Sequence, residues 1–345
     1  MSTFADRVGG LIRSAVVGYG ASMAWDVGIF QALATAKSPV TSLQIAKAKN
    51  LKERYVRELL GCLATAELVQ VSRDKDGGLL YSLEDGAMEA LQGRTGAIMG
   101  FPGTLTSLYS PIKSCISSDG PYGTRYSDSV QEFFDELLGA VAPKMVSDLL
   151  QNVPNMTPRL EKGLDVMEVG AGGARLSAIL ATKFTNSCFQ ASEINATLVE
   201  SNKVRWAHIP NLSFSVVDLC ALPETPEKLY DWVFCNDVIH DLPDPLAALR
   251  CIQRLLRKPD GLFMFIDIAT SGSPVEDKGN MGVSFYYAAS TFLCIPESYQ
   301  SEDSLALGSC WGKPTALKMI KEAGFDVRDL MLDSAHALYI CTLPC

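Results

Sequence analysis

Residues 164–181 read L-D-V-M-E-V-G-A-G-G-A-R-L-S-A-I-L-A. An apolar run, LDVMEV (164–169), ends in E-V-G-A-G-G-A (168–174), and an amphipathic helical pattern follows (174–184). An unbroken apolar run is the pattern of a strand buried on both faces of a parallel sheet. Glycines behind such a strand permit a tight turn and let a ligand approach backbone N–H groups. Further strands are read at CFQASE (188–193), LSFSVVD (212–218), DWVFCNDV (231–238), GLFMFIDI (261–268), FDVRDLML (325–332) and ALYICTL (337–343). Helical patterns at 195–206, 245–257 and 313–323 separate several of them. This alternation predicts a doubly wound α/β domain.

The glycine turn has two readings, an ordinary strand-to-helix connection or a ligand loop. Glu193 ends the next strand, 23 positions after Gly170, where a carboxylate can accept both ribose hydroxyls of an adenosine cofactor. The loop carries Gly170 and Gly172 but lacks the full G-x-G-x-x-G that a pyrophosphate wants, and Glu168 precedes it. A carboxylate there suits an adenosine ligand bearing an ammonium group, which points to S-adenosyl-L-methionine, with S-adenosyl-L-homocysteine as product. Asp218 ends the third strand and is placed to accept the adenine amino group; a turn cap is its competing reading.

The first third reads as helical, with Ile12, Val16, Ala24, Val27, Phe30 and Leu33 at helix-like spacing. T-S-L-Q (41–44) and N-L-K-E (50–53) read as two helix starts, the second helix carrying Val56, Leu59, Leu60 and Leu63 on one face. LVQVS (68–72) and LLYSL (79–83) flank D-K-D-G-G and read as a hairpin. Helix, turn, helix and hairpin make a winged-helix pattern. Lys52, Arg54 and Arg57 are offset by Glu53, Glu58 and Glu67, so the basic face of a DNA reader is not expected. Residues 94–150 are punctuated by Gly and Pro until a helical pattern from Ser127 to Leu150, and N-V-P-N-M-T-P (152–158) reads as a linker. The expected division is a winged-helix domain at 1–93, a bridge and lid at 94–158 and the α/β domain at 159–345.

The totals agree. Thirty Lys+Arg against 39 Asp+Glu leave a net charge of −9, which repels polyphosphate and argues against nucleic acid as the main partner. None of the ten cysteines forms C-x-x-C, and Cys188, Cys235 and Cys294 lie in apolar runs, as buried thiols of a reducing compartment would. No run of 18 apolar residues suggests a membrane span and the first residues lack a signal-peptide core, so a cytoplasmic protein is expected.

In residue content and order the chain resembles class I S-adenosylmethionine-dependent methyltransferases of the two-domain group with an N-terminal winged-helix dimerisation domain, to which caffeate-type and acetylserotonin-type O-methyltransferases belong. The resemblance rests on GIFQALA, LKERYVRELLGCLATAELV, DGPYGTRYSD, EVGAGGARLSAILA, SEIN, VVD, DVIHDLPDPLAALRCIQRLL, FIDIATS and LGSCWGKPTALKMIKEAGF, and covers nearly the whole chain. Ala174 departs from the usual third glycine but is small enough to keep the helix close to the sheet. The resemblance implies a Rossmann-like seven-stranded methyltransferase sheet with an N-terminal helical winged-helix domain, and a homodimer formed through that domain. It implies that Glu168, Gly170, Gly172, Glu193 and Asp218 hold the cofactor, with Asn236 and Asp237 lining the same pocket. It places a His-Asp pair, His240–Asp241, where the group carries its catalytic base.

A hydroxyl acceptor must lose a proton, so a base within reach helps, and O-methylation of a small molecule is the first expectation. S-methylation of a small methylthio acid, as in dimethylsulfoniopropionate synthesis, needs no base and is the alternative. A winged-helix regulator that senses a ligand is a third reading of another class. Tyr109, Tyr122, Tyr126, Tyr286, Tyr287 and Trp311 lie in segments that could cover the acceptor, with plain core packing as the competing reading. No cluster has metal-ligand spacing, so no metal is expected, although the HDLPD run could hold a cation. Asp244, before Pro245, reads as a helix cap.

Overall fold

The computed structural model describes residues 3–221 and 225–344. They form two compact units: the residues up to Leu108 with Glu132–Ala140, and Tyr109–Gln131 with the residues from Val141 onward. The stretch 94–158 is thus shared between them.

In the first unit, α1 (Phe4–Asp26), α2 (Ile29–Thr35), α3 (Ser42–Lys49) and α4 (Glu53–Thr65) precede a hairpin of β1 (Gln70–Arg73) and β2 (Leu79–Ser82). The expected capping box starts α3: Thr41 Oγ1 accepts from the Gln44 amide, and Gln44 Oε1 from the Thr41 amide. The second expected box does not form. Asn50 instead ends α3 in the left-handed conformation, and α4 starts behind Lys52 without a side-chain cap. A short polar residue at the end of one helix and the start of the next can serve either, and Asn tolerates the left-handed end. Ile29, Phe30, Leu33, Ile45, Val56, Leu60 and Leu63 form the core. Asp74 closes the hairpin loop by accepting from the amides of Asp76 and Gly78.

The helical spacing in α1 does not describe one buried face. Ala24 is buried, whereas Ile12 is 60% and Val16 67% exposed. Phe4, Leu11, Tyr19 and Met23 are exposed as well.

Two stretches read as irregular are helical: Phe101–Ile116, with Pro111 inside it, and Met156–Lys162. Pro102 and Pro158 fall in the first turns of these helices, where a missing N–H costs nothing, so proline there marks a start and not an interruption.

In the second unit all seven strands are present: β3 (Asp165–Val169), β4 (Cys188–Glu193), β5 (Leu212–Val216), β6 (Trp232–Asn236), β7 (Leu262–Ile268), β8 (Asp326–Met331) and β9 (His336–Thr342). They line up as β5-β4-β3-β6-β7-β9-β8, the first five parallel and β9 antiparallel to both β7 and β8. Helices Arg175–Lys183, Ala196–Arg205, Pro245–Leu255 and Lys313–Glu322 match the predicted segments. Phe263, Phe265 and Tyr339 stack in the core with Val233, Ile252 and Ile320. From β3 the chain winds outward to β4 and β5, then returns to place β6 on the other side of β3. Such a reversal opens a crevice at the carboxyl ends of β3 and β6, where ligands bind in open α/β sheets.

Candidate active site

The glycine loop follows β3. Gly170 has φ +63°, and a Cβ on it would come within 2.5 Å of Val238 Cγ2, in the segment after β6. Only glycine therefore lets the two sides of the crevice close on each other here. Gly172, at φ +51°, would meet nothing within 4 Å. Its backbone is held on both sides, the N–H by Glu193 and the carbonyl by the Asn202 side-chain amide at 2.6 Å.

Glu168 is buried, and its Oε2 accepts the Ser177 amide at 3.0 Å, in the first turn of helix Arg175–Lys183. Ala174 has no polar side-chain atom to cap that helix, so Glu168 does it from the strand. Burial pushes its carboxyl up to about 7, against the pull of the Ser177 hydrogen bonds. Glu193 fixes the loop from the next strand: Oε2 accepts the Gly172 amide at 3.0 Å, while Oε1 accepts those of Ile194 and Asn195. Asp218 is exposed and caps its own turn through the Cys220 amide at 2.9 Å. Asn236 donates to Asp237 Oδ2 at 3.0 Å, and its own buried Oδ1 has no hydrogen-bond partner. Asp237 holds a left-handed backbone at φ +50°, turning the chain out of β6.

His240 lies in the single turn Ile239–Asp241 directly behind that bend and is 2% exposed. Its Nδ1 meets Asp267 Oδ1 at 2.6 Å. Asp267, on neighbouring strand β7, is wholly buried, and the same oxygen accepts the Ile268 amide. Asp241 therefore does not orient the ring from the Nδ1 side. It stands opposite, with Oδ1 3.2 Å from Nε2 and no hydrogen-bond geometry between them. Cys294 Sγ is 3.5 Å from the same nitrogen. Burial pulls the imidazole pKa down, but the Asp267 and Asp241 carboxylates outweigh it and hold the ring well above its ordinary value. Burial also raises the Cys294 thiol.

Of the aromatic residues named from sequence, Tyr126 reaches this cluster. Its hydroxyl donates to Asp241 Oδ2 at 3.3 Å. The segment is strapped to helix Cys294–Ser298: Thr124 N donates to Pro296 O, Tyr126 N to Glu297 Oε2, and Arg125 pairs with Glu297 Oε1 at 2.6 Å. Tyr122 lies edge-on to Tyr299 and is half exposed. Tyr286 lies edge-on to His336, itself held by Asp333, and Tyr287 follows it on helix Met281–Phe292. Trp311 is packed into the core. Asp244 caps helix Pro245–Leu255 through the Ala247 amide, as expected.

Sequence reading missed Asp267, Cys294 and Glu297. Asp267 had a signal, since one acid inside LFMFIDI must find a partner if the strand is buried. Cys294 had none, because a thiol in an apolar stretch looks like packing. Cys188, expected to be buried, is exposed at the start of β4. Cys345 lies outside the described residues.

Comparison with known proteins follows the same division. A family model described as Methyltransferase domain matches residues 142–328, more than half of the chain. A second, the Rv2258c-like winged HTH domain, matches residues 15–88. The malonyl-[acyl-carrier protein] O-methyltransferase 1 of Ilyobacter polytropus is 30% identical over 96 residues, 28% of this chain and 35% of that protein. The ubiquinone biosynthesis O-methyltransferase of Albidiferax ferrireducens is 27% identical over 161 residues, 45% of this chain and 61% of that protein. The chain thus spans less than two thirds of each of these relatives. Among solved structures, human N-acetylserotonin methyltransferase in complex with SAM superposes with a TM-score of 0.73 at 15% identity, over 100% of this chain and 99% of that one. Mitomycin 7-O-methyltransferase gives 0.69 at 15% identity, over 97% of each chain. Among the described residues no helix is long and apolar enough to cross a membrane.

Proposed function

The chain belongs to the methyltransferase-domain family, and from that premise we propose that it transfers the methyl group of S-adenosyl-L-methionine to a hydroxyl of a small molecule, with His240 as general base. The observation that carries this reading is the His240–Asp267 pair at the carboxyl end of β6, beside the crevice.

The residues at the crevice fit the cofactor. The side-chain position of Gly172 is clear for a ligand, and Asn236 Oδ1 is a buried acceptor in need of a donor. Glu193 would receive a ribose hydroxyl at Oε2, on the site left beside the Gly172 amide, since Oε1 already accepts the Ile194 and Asn195 amides. Asn236 and Asp237 would line the same pocket, and Asp218 would meet the adenine edge. Glu168, committed to a helix terminus, would act by holding the loop. When bound, the cofactor supplies a methyl group already activated on a sulfonium. The protein then has to bring the acceptor into line and remove its proton. Asp267 fixes the ring and its Nδ1 proton, so that the acceptor's O–H proton goes to Nε2.

This assignment has a pH signature. A base must be neutral, and the two carboxylates favour the imidazolium. Activity should therefore be low at acid pH, with an acid limb in kcat/KM centred above the ordinary histidine value of about 6.5. Asp241→Asn should move that limb down. Stability should run the other way: with the folded pKa raised, the charged pair stabilises fully below about 6.5 and is lost as pH rises through the raised value. An acid limb at or below 6.5, unmoved by Asp241→Asn, would contradict the role.

The exposed stripe of α1 supports pairing of two copies through the winged-helix unit. Ile12→Glu with Val16→Glu should turn a dimer into a monomer in sedimentation, and a wild-type chain that sediments as a monomer would sink the idea. A DNA-reading role has less support: Arg54 and Arg57 of α4 pair with Glu58 and Glu53.

A further inference from the structure

We propose that His240 Nε2, the Asp241 carboxylate and Cys294 Sγ form a binding site for a divalent cation of the zinc class, which displaces the proton from Nε2 and silences methyl transfer. The silencing rests on His240 being the base; the cation site does not.

The donors come from two distant segments, the turn Ile239–Asp241 and helix Cys294–Ser298. Their ligand atoms all lie within 4.8 Å of one another. With bonds of about 2.0–2.3 Å in a tetrahedron, nitrogen and oxygen ligands stand about 3.3 Å apart, and nitrogen and sulfur about 3.6 Å. The observed separations are 3.2 Å and 3.5 Å. The 3.2 Å approach of Asp241 Oδ1 to Nε2 lacks hydrogen-bond geometry, and that oxygen has no hydrogen-bond partner. Asp241 Oδ1 therefore keeps acceptor capacity for a cation seated beside Nε2.

A second, independent observation lies on the far side of the ring. A metal-ligating histidine characteristically donates its other nitrogen to a carboxylate, which fixes the tautomer and aims the lone pair. Asp267 makes that contact with Nδ1 at 2.6 Å and is completely buried. It also makes the alternative grouping of Asp237, His240 and Asp267 the weaker one, because Nδ1 is already engaged.

The donor set selects the metal. Sulfur with imidazole favours zinc-class ions, whereas magnesium and calcium want oxygen alone. Binding is a ligand exchange without oxidation or reduction. The metal–sulfur bond forms as the Cys294 thiol gives up its proton, and the metal–nitrogen bond forms as any proton on Nε2 leaves; both protons pass to solvent. Three protein ligands leave a fourth position for water.

The test is titration of the full chain with Co²⁺, whose thiolate complexes show a sulfur-to-metal charge-transfer band. One equivalent should produce the band, Zn²⁺ should bleach it, and Cys294→Ser and His240→Gln should each remove it while the far-ultraviolet circular dichroism is kept. A missing band, or one that survives in Cys294→Ser, overturns the site. Zn²⁺ should also inhibit methyl transfer in the wild type and lose potency in Cys294→Ser. Cobalt binding without zinc inhibition overturns the silencing, and if His240→Gln also turns over normally the base assignment falls while the cation site stands.

Discussion

Replacing His240 by Gln is expected to lower kcat by about 10²–10⁴-fold, the range that a positioned proton acceptor contributes. Affinity for S-adenosylhomocysteine should not change, because the cofactor contacts assigned above involve other residues. Gln is the appropriate replacement. His240 stands between Asp241 and the buried Asp267, and simple truncation would leave Asp267 uncompensated, a loss of about 3–5 kcal/mol for a broken buried pair. A glutamine amide can still donate toward Asp267, so the fold is kept while the proton acceptor is lost. Asp267→Asn should also reduce kcat, since the ring then loses the charge that sets its tautomer. A sulfur acceptor predicts otherwise: it has no proton to lose, and His240→Gln would leave its rate nearly intact.

The second large effect is expected at Glu193. One hydrogen bond from a ribose hydroxyl to a charged acceptor, at about 1.5–3 kcal/mol, corresponds to a rise of about 10–10²-fold in cofactor Kd when it is lost. Glu193→Gln keeps one acceptor oxygen, enough for the Ile194 and Asn195 amides, while giving up the charge and the acceptor at the Gly172 side. It should raise KM for S-adenosylmethionine steeply and leave kcat at saturation little changed. That split separates a binding residue from one that acts in the chemical step. Calorimetric titration with S-adenosylhomocysteine gives the same answer without a known acceptor. An affinity equal to wild type would remove Glu193 from the cofactor site.

Much of the sheet was legible because its strands are buried on both faces and read as apolar runs, as in VFC of β6 and FMF of β7. The glycine loop was legible because left-handed backbone and close approach restrict residue choice, as Gly170 against Val238 illustrates. Helix Phe101–Ile116 was not, since a proline inside a helix carries the same local signal as one in a loop. The site was legible to the extent that it lies in one stretch. His240 and Asp241 follow a strand end, so topology alone puts them at the crevice. The Nδ1 partner could not be assigned that way. Asp241 is adjacent in sequence, yet the partner is Asp267, brought over by the parallel pairing of β6 with β7. Cys294 is farther still, 54 positions from His240, and only the packing of helix Cys294–Ser298 brings them together.

The most direct measurement is transfer of labelled methyl from S-adenosylmethionine to a panel of hydroxylated and methylthio small molecules, by wild type and His240→Gln at saturating cofactor, with the methylated atom located by mass fragmentation. The proposed function predicts label on an acceptor oxygen in the wild type and a rate at least about 10²-fold lower in the variant. Label on sulfur, or equal rates on oxygen in the two proteins, would contradict it.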